Sequence, residues 1–190
     1  MERGFQPLAR GLATAGITPN QITIAGAAIT LISAGFVVAG DLVTGGIIFI
    51  LAGTLDTLDG TLARATGTAS VRGAFIDSTL DRVSEGAMFG ALTFYFAARD
   101  EPANAAMVVV ALLGSVLVSY TRARAEALGI ECSTGLATRG ERVLVLGLGM
   151  IFGWAAIAIY ILAVTSAYTA IQRISTVLRG LAAPDIEPKE

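Results

Sequence analysis

Three observations predict an all-α integral membrane protein with six transmembrane helices. Hydrophobic residues make up 54% of the 190 residues and charged residues only 15%, whereas a soluble domain carries about 25% charged residues. A protein with so little surface charge needs lipid to cover part of it. The length accommodates roughly six spans of about 20 residues with short connections, and no separate soluble domain. Basic residues, finally, fall almost entirely on one side of these spans.

Breaks in the hydrophobic pattern separate the predicted spans. A long apolar stretch near the C-terminus exceeds one span, and we divide it near Gly153 and Trp154 into a fifth and a sixth. The first four spans and the divided stretch cover residues 22–39, 43–65, 74–98, 103–128 and 143–171.

The predicted domain organisation has three parts. Residues 1–19 form a short interfacial helix, because Phe5, Leu8 and Leu12 recur at helical spacing without a long apolar core. Residues 20–180 form the six-helix membrane domain, and residues 181–190 form a flexible tail.

The basic residues predict the orientation in the cell membrane. Connections rich in Arg and Lys stay in the cytoplasm. Arg99 is the only basic residue in the connections of the opposite side, and Arg82 lies within a span. Both termini are therefore predicted to face the cytoplasm. The basic residues of the cytoplasmic side are Arg3, Arg10, Arg64, Arg72, Arg122, Arg124, Arg139, Arg142, Arg173, Arg179 and Lys189.

Acidic residues gather near the cytoplasmic ends of the second and third spans. Asp56 and Asp59 are three residues apart, Asp77 and Asp81 are four apart, and Glu85 follows one turn later. Each aspartate pair therefore lies on one helix face. The short connection between the two spans predicts antiparallel neighbours with converging acidic faces. A charged residue in a span costs at least ~2.5–3.5 kcal/mol, so these residues need a function or a partner.

The four aspartates predict a divalent-cation site. Carboxylates at one place repel one another unless cations lie among them, and two divalent ions would balance four charges. Ligation by oxygen alone suits Mg²⁺ or Mn²⁺, and the absence of histidine leaves acid–base chemistry near neutral pH to carboxylates. The alternative is a set of interfacial acids paired with Arg64, Arg72 and Arg82, which explains one acid better than two aligned pairs.

The same segment resembles a known family. Residues 56–81 read Asp-x2-Asp-Gly-x2-Ala-Arg-x8-Gly-x3-Asp-x3-Asp, which is similar at every fixed position to the signature of the CDP-alcohol phosphatidyltransferase family. The resemblance implies six transmembrane helices, a homodimer and a cytoplasm-facing polar cavity with two metal ions. It also implies that the hydroxyl of an acceptor alcohol displaces CMP from a CDP-linked lipid. The fixed positions are Asp56, Asp59, Gly60, Ala63, Arg64, Gly73, Asp77 and Asp81.

The resemblance also implies roles for single residues. Asp56, Asp59 and Asp77 would hold metal, and Asp81 would be metal-associated and act as the general base. Contacts with the CDP part of the donor would come from Asn20, Gln21, Ile22, Thr23, Gly60, Arg64 and Ser70.

A second group of arginines concerns the acceptor. The guanidinium group of arginine binds phosphate oxygens in pairs. The alternative explanation for these arginines is that they only anchor the helix ends on the cytoplasmic side. Segments 119–127, 139–142 and 172–173 resemble those of phosphatidylinositol phosphate synthases and archaetidylinositol phosphate synthases, which join a CDP-lipid to inositol 1-phosphate. Bacterial members typically have lysine where Arg122 stands and proline where Gly140 stands. The implied acceptor-phosphate ligands are Arg122, Arg124, Arg139, Arg142 and Arg173.

Three alternative functions stay open at this point. Another acceptor, such as glycerol 3-phosphate, would keep the same aspartates. A divalent-cation transporter needs acids at both faces, whereas the outer halves of these spans lack them. A non-catalytic lipid-binding scaffold gives no reason for the spacing of Gly60, Arg64 and Gly73. The choice between CDP-diacylglycerol and CDP-archaeol, and between Mg²⁺ and Mn²⁺, is equally open.

Overall fold

The structure is a computed structural model that describes residues 11, 14, 16–132, 134–135 and 138–182. The predicted interfacial helix and the tail lie largely outside the described residues. All regular structure in the described part is helical, which confirms the all-α prediction. The helices are α1 (Pro19–Val38), α2 (Leu42–Thr66), α3 (Val71–Ala97), α4 (Pro102–Ala127), α5 (Arg139–Ile151) and α6 (Ala155–Leu181).

Polar caps define where the first three helices begin. Thr18 and Gln21 form a capping box at α1, in which the Thr18 N–H donates to the Gln21 side chain at 2.9 Å. Asp41 caps α2, and hydrogen bonds from Thr44 hold the pKa of the Asp41 carboxyl below its ordinary value. Ser70 caps α3. These caps satisfy backbone N–H groups that the first helical turn leaves unpaired.

The break between α5 and α6 lies where the sequence predicts it. Residues 152–154 separate the two helices, and Gly153 adopts a φ of +75°, a conformation that glycine reaches without steric cost. At the other end of α5, Thr138 and Glu141 form a second capping box. The long apolar stretch is therefore two helices.

Four of the six helices, α1, α2, α4 and α6, are long and apolar enough to cross a membrane by length and composition. Helix α3 has 27 residues, but it carries five charged side chains, those of Arg72, Asp77, Asp81, Arg82 and Glu85. Helix α5 has 13 residues, about 20 Å at 1.5 Å per residue, against a hydrocarbon core of about 30 Å. The chain is thus a multi-pass membrane protein. Large apolar side chains that point outward, suited to lipid contact, include Ile32, Leu51, Leu113 and Val164.

The six described helices form a closed ring. Each helix packs against two others, in the order α1, α2, α5, α6, α4, α3 and back to α1. Helices that face each other across the ring have no Cα atoms within 8 Å. Helix α1 joins α2 and α3 into one three-helix half, and α6 joins α4 and α5 into the other. The apolar part of the interior draws on all six helices and includes Val37, Phe49, Met88, Leu92, Val108, Leu146 and Ile159.

The prediction that the two aspartate-bearing helices are direct neighbours is wrong. Helix α1 lies between α2 and α3 and packs against both, while α2 and α3 do not pack against each other. The connection over residues 67–70 spans the gap. Direct packing would bury two acidic faces against one another, which is costly for ionised carboxylates. The separation instead leaves a cleft between the acidic ends of α2 and α3.

Small residues allow α2 and α5 to approach closely. A Cβ atom at Gly46 would lie 2.8 Å from the carbonyl oxygen of Gly147 and 2.9 Å from Cγ1 of Ile151. Such contacts between backbones are the usual way in which membrane helices pack tightly. This approach sets the distance between the aspartates of α2 and the arginines of α5.

We expect Gly46→Ala to destabilise the protein by about 1–3 kcal/mol, because the new methyl group forces the two helices apart. The thermal unfolding midpoint in detergent should fall by several degrees. Gly35→Ala is the matched control, since a Cβ at Gly35 meets nothing within 4 Å. Equal midpoints for the two variants would contradict the close approach.

Candidate metal and ligand-binding site

Three carboxylates converge where the end of α2 meets the start of α3. Asp56, Asp59 and Asp77 each offer an oxygen within 4.8 Å of those of the other two. Asp59 is buried, and the other two are partly buried. Three oxygen ligands at this spacing could hold a divalent cation, and the absence of nitrogen or sulphur ligands among them favours Mg²⁺ or Mn²⁺.

Helix α1 supplies a partner for the most deeply buried carboxylate of the three. The hydroxyl of Thr23 donates to Oδ2 of Asp59 at 2.6 Å, and both residues are buried. A short hydrogen bond from a neutral hydroxyl orients the carboxylate and satisfies one lone pair, but it leaves the negative charge uncompensated. The cluster therefore still requires a cation.

Asp81 lies one turn beyond Asp77 on α3 and belongs to a different contact group. Nη1 of Arg139, at the start of α5, lies 2.5 Å from Oδ1 of Asp81 and also forms an ion pair with Asp56. The guanidinium thus reaches across the ring and joins α5 to both α2 and α3. One arginine balances part of the negative charge at the site.

A fifth carboxylate, Glu85, lies one turn further into the ring. Its Oε1 accepts a hydrogen bond from Ser115 of α4 at 2.5 Å and lies 3.6 Å from Nη2 of Arg142 on α5. Its Oε2 lies 3.4 Å from Nε of Arg82. Sequence analysis assigned Glu85 no role, although its position four residues after Asp81 places it on the same helix face.

An open cleft of about 560 Å³ borders the carboxylate cluster. Its walls come from the start of α1, the end of α2 and the start of α3. Five of the residues predicted to contact the CDP group line it, namely Asn20, Thr23, Gly60, Arg64 and Ser70. The side chains of Gln21 and Ile22 lie elsewhere, since Gln21 completes the α1 cap and Ile22 packs beside Leu62.

The glycine positions of the motif adjoin polar groups of this cleft. A Cβ at Gly73 would lie 3.2 Å from Oδ1 of Asn20, and one at Gly60 would lie 3.4 Å from Nη1 of Arg64. The absence of side chains at these two positions keeps the polar atoms of Asn20 on α1 and Arg64 on α2 at the surface of the cleft.

The arginines predicted to bind the acceptor phosphate divide into two places. Arg139 and Arg142 face the interior cavity, together with Asp56, Asp81 and Glu85. The structure therefore brings two of the predicted arginines to the aspartates.

The other three arginines lie at the end of α4 and on α6. Arg173 donates to the carbonyl oxygens of Val118 and Thr134, both at 2.7 Å. Arg122 pairs with Glu126 at 2.8 Å on the exposed surface. Arg124 is exposed. Arg173 is close enough to both Arg142 and Arg122 for mutual repulsion, so positive charge extends from the interior to this surface.

Apolar spanning helices, an oxygen-ligand cluster and arginines around a cleft define a membrane protein equipped to handle phosphate-linked ligands. The chain belongs to the CDP-alcohol phosphatidyltransferase family, which it matches over residues 16–178. The resemblance seen in residues 56–81 is thereby confirmed.

Relatives with names and structures make the likeness more specific. The chain is 39% identical to the archaetidylinositol phosphate synthase of Pyrococcus horikoshii, over 89% of each chain. It is 36% identical to the phosphatidylinositol phosphate synthase of Mycobacteroides abscessus, over 96% of this chain and 87% of that protein.

Crystal structures of the phosphatidylinositol phosphate synthase of Mycobacterium tuberculosis share the fold. The structure with CDP-DAG bound has a TM-score of 0.84 and 32% identity, with 99% of this chain and 98% of that chain covered. The structure with manganese and citrate has a TM-score of 0.84 and 31% identity, with 98% and 93% covered.

We expect Asp59→Asn and Asp77→Asn each to weaken Mn²⁺ binding by at least about tenfold, because each removes one of three charged ligands. Electron paramagnetic resonance of free Mn²⁺ over purified protein measures this affinity. Glu101→Gln is the control. Glu101 is an exposed acid that is hydrogen-bonded to Asn104, and it lies at the start of α4, the end of that helix that is far from the carboxylate cluster. Unchanged affinity in both aspartate variants would exclude this cluster as the cation site.

Proposed function

We propose that the protein transfers a phosphatidyl-type group from a CDP-linked lipid, CDP-diacylglycerol or CDP-archaeol, to inositol 1-phosphate and releases CMP. The observation that carries the proposal is that the carboxylates lie between an open cleft on one side and two interior arginines on the other. The names of the relatives and the CDP-DAG bound to a solved relative support the same reaction.

The carboxylate cluster fits the divalent ions that this chemistry needs. Asp56, Asp59 and Asp77 would hold Mg²⁺ or Mn²⁺, and the manganese bound to a solved relative supports this assignment. Bound cations neutralise negative charge on the pyrophosphate and on the departing CMP. Two divalent ions would balance the four negative charges of the motif, namely those of the three ligands and of the metal-associated Asp81.

The cleft between α2 and α3 is the proposed donor site. Its volume of about 560 Å³ lies within the range of typical small-ligand pockets, about 300–1,000 Å³, and the cleft is open on one side, which leaves a path for the lipid part of the donor. Arg64 beside Gly60 offers charge-assisted hydrogen bonds to phosphate oxygens. Asn20, Thr23 and Ser70 offer neutral polar contacts, which orient a ligand without adding charge.

Asp81 is the proposed general base. It lies outside the group of three ligands and faces the interior cavity with Arg139 and Arg142. An acceptor whose phosphate binds these arginines would present a hydroxyl to Asp81. Asp81 takes the hydroxyl proton, the oxygen attacks the lipid-side phosphorus, and the bond from that phosphorus to the CMP oxygen breaks. The chain contributes positioning and proton transfer, which dominate in phosphoryl-type reactions.

The proposal includes the orientation of the enzyme in the membrane and its oligomeric state. Six spans would place both termini and the site on the cytoplasmic side of the cell membrane, in a homodimer. The support for this orientation is the positive-inside pattern, together with the position of the site residues at the starts of α1, α3 and α5 and near the ends of α2, α4 and α6. Residues 20–180 would form the catalytic domain.

The acceptor assay tests the proposal directly. Purified protein with CDP-lipid and Mg²⁺ should release CMP and form an inositol-phosphate lipid when inositol 1-phosphate is added, because the interior arginines bind its phosphate. Headgroup analysis by mass spectrometry identifies the product. Formation of product from glycerol 3-phosphate alone would refute the proposed acceptor and leave the donor chemistry in place.

We expect Asp81→Asn to lower kcat by at least about 100-fold, because the amide cannot accept the proton. Mn²⁺ affinity should stay within about threefold of wild type, since Asp81 is not one of the three clustered ligands. Initial rates of CMP release give kcat, and Mn²⁺ titration gives the affinity for the metal. A parallel loss of metal binding and activity would assign Asp81 to the metal instead.

A further inference from the structure

Glu85 is a partly buried charge that the proposed mechanism does not use. Its side chain is 12% exposed, and it lies on α3 in the interior of the ring. An ionised residue within a membrane helix is costly unless it has partners, and it is a candidate for a functional role by default. Its partners indicate what that role is.

The contacts of Glu85 connect α3 to helices on two sides. The hydroxyl of Ser115 on α4 donates to Oε1 at 2.5 Å, and Nη2 of Arg142 on α5 lies 3.6 Å from the same oxygen. Helices α3 and α5 face each other across the ring without backbone contact. Glu85 and Arg142 therefore meet only because both side chains extend into the interior.

Arg142 depends on this pairing for its position. Its side chain is 11% exposed, and Glu85 is its ion-pair partner among the described residues. Arg142 lies three residues after Arg139 and shares the interior cavity with Asp56 and Asp81. Without the charge of Glu85, these two aspartates are the carboxylates left on the cavity wall. The guanidinium would then be drawn towards them and compete with Arg139.

We infer that Glu85 is a positioning residue for the acceptor phosphate and acts through Arg142. The inference rests on the proposed function and adds a residue to it. Glu85 holds Arg142 on the far side of the cavity from the aspartates, so that Nη atoms remain available to an incoming phosphate. It acts on the acceptor half of the site and leaves the donor cleft, on the other side of the carboxylates, unchanged.

The test is a comparison of the two Michaelis constants in Glu85→Gln. This variant keeps the shape of the side chain and removes its charge. We expect KM for inositol 1-phosphate to rise about tenfold or more, because removal of one partner of a buried charge pair leaves the other misplaced. KM for the CDP-lipid should stay within about twofold of wild type.

A double-mutant cycle tests whether the effect passes through Arg142. Arg142→Gln and the double variant Glu85→Gln/Arg142→Gln should have the same KM for inositol 1-phosphate within about twofold. The double variant also serves if Glu85→Gln alone fails to fold, because it leaves no unpaired buried arginine. A double variant with a clearly higher KM than Arg142→Gln would overturn the inference.

Ser115→Ala is the matched control for a purely structural role. It removes the hydrogen bond that joins α3 to α4 and keeps both charges of the ion pair. If Glu85 only holds these helices together, Ser115→Ala and Glu85→Gln will raise KM for the acceptor alike, and the inference fails. If wild type itself makes no product from inositol 1-phosphate, the proposed function fails first, independently of these variants.

Discussion

The electrostatic cost of several carboxylates inside an apolar helical ring is the constraint on which the rest of the structure depends. Asp56, Asp59, Asp77 and Asp81 lie near one end of the ring, and Glu85 lies deeper. Hydroxyl groups and water molecules are neutral, so they cannot compensate the negative charge of these carboxylates. Arginines from α5 supply part of the balance, and bound divalent cations would supply the remainder. In the proposed reaction, the cations and the phosphates of the substrates would therefore meet in the same small volume.

The arrangement of the helices follows from this constraint. Placing α1 between α2 and α3 avoids direct contact between two acidic faces and opens a cleft of about 560 Å³ in front of the cluster. Placing α5 opposite α3 lets arginine side chains reach the carboxylates from the far side. The close approach at Gly46 and Gly147 then fixes how far those side chains must extend. Deeper in the ring, where no charge is present, ordinary apolar packing resumes.

Much of this could be predicted from local sequence patterns. Hydrophobic runs and their breaks predicted the ends of the first four helices and the break at Gly153 to within a few residues, because helix ends depend on nearby residues. The last helix continues to Leu181, ten residues past the predicted end, because the hydrophobic pattern fades before the helix stops. The spacing of the aspartates predicted which of them share a helix face. These signals concern neighbours in the chain, so one sequence contains them.

The order of helices around the ring could not be read in the same way. A four-residue connection suggests adjacent helices, yet α1 lies between α2 and α3 because packing across the whole bundle decides which faces meet. The ion pairs of Arg139 and Arg142 also join residues more than 50 positions apart. For the same reason Gln21 and Ile22 could be placed near the site in sequence, but the direction of their side chains depended on the cap and on the packing.

The two three-helix halves of the ring correspond to two consecutive parts of the chain, and the proposed donor and acceptor residues are divided between them. Every residue proposed to hold metal or contact the donor precedes the turn at residues 98–101, and every arginine proposed to bind the acceptor follows it. Cutting the chain at this turn would yield two fragments, one with the nucleotide-recognising surface and one with the phosphate-recognising surface. Donor preference could therefore diverge by mutation within the first fragment alone, whereas acceptor preference would also depend on Glu85 of that fragment. Both require that the contacts of α2 with α5 and of α3 with α4 persist.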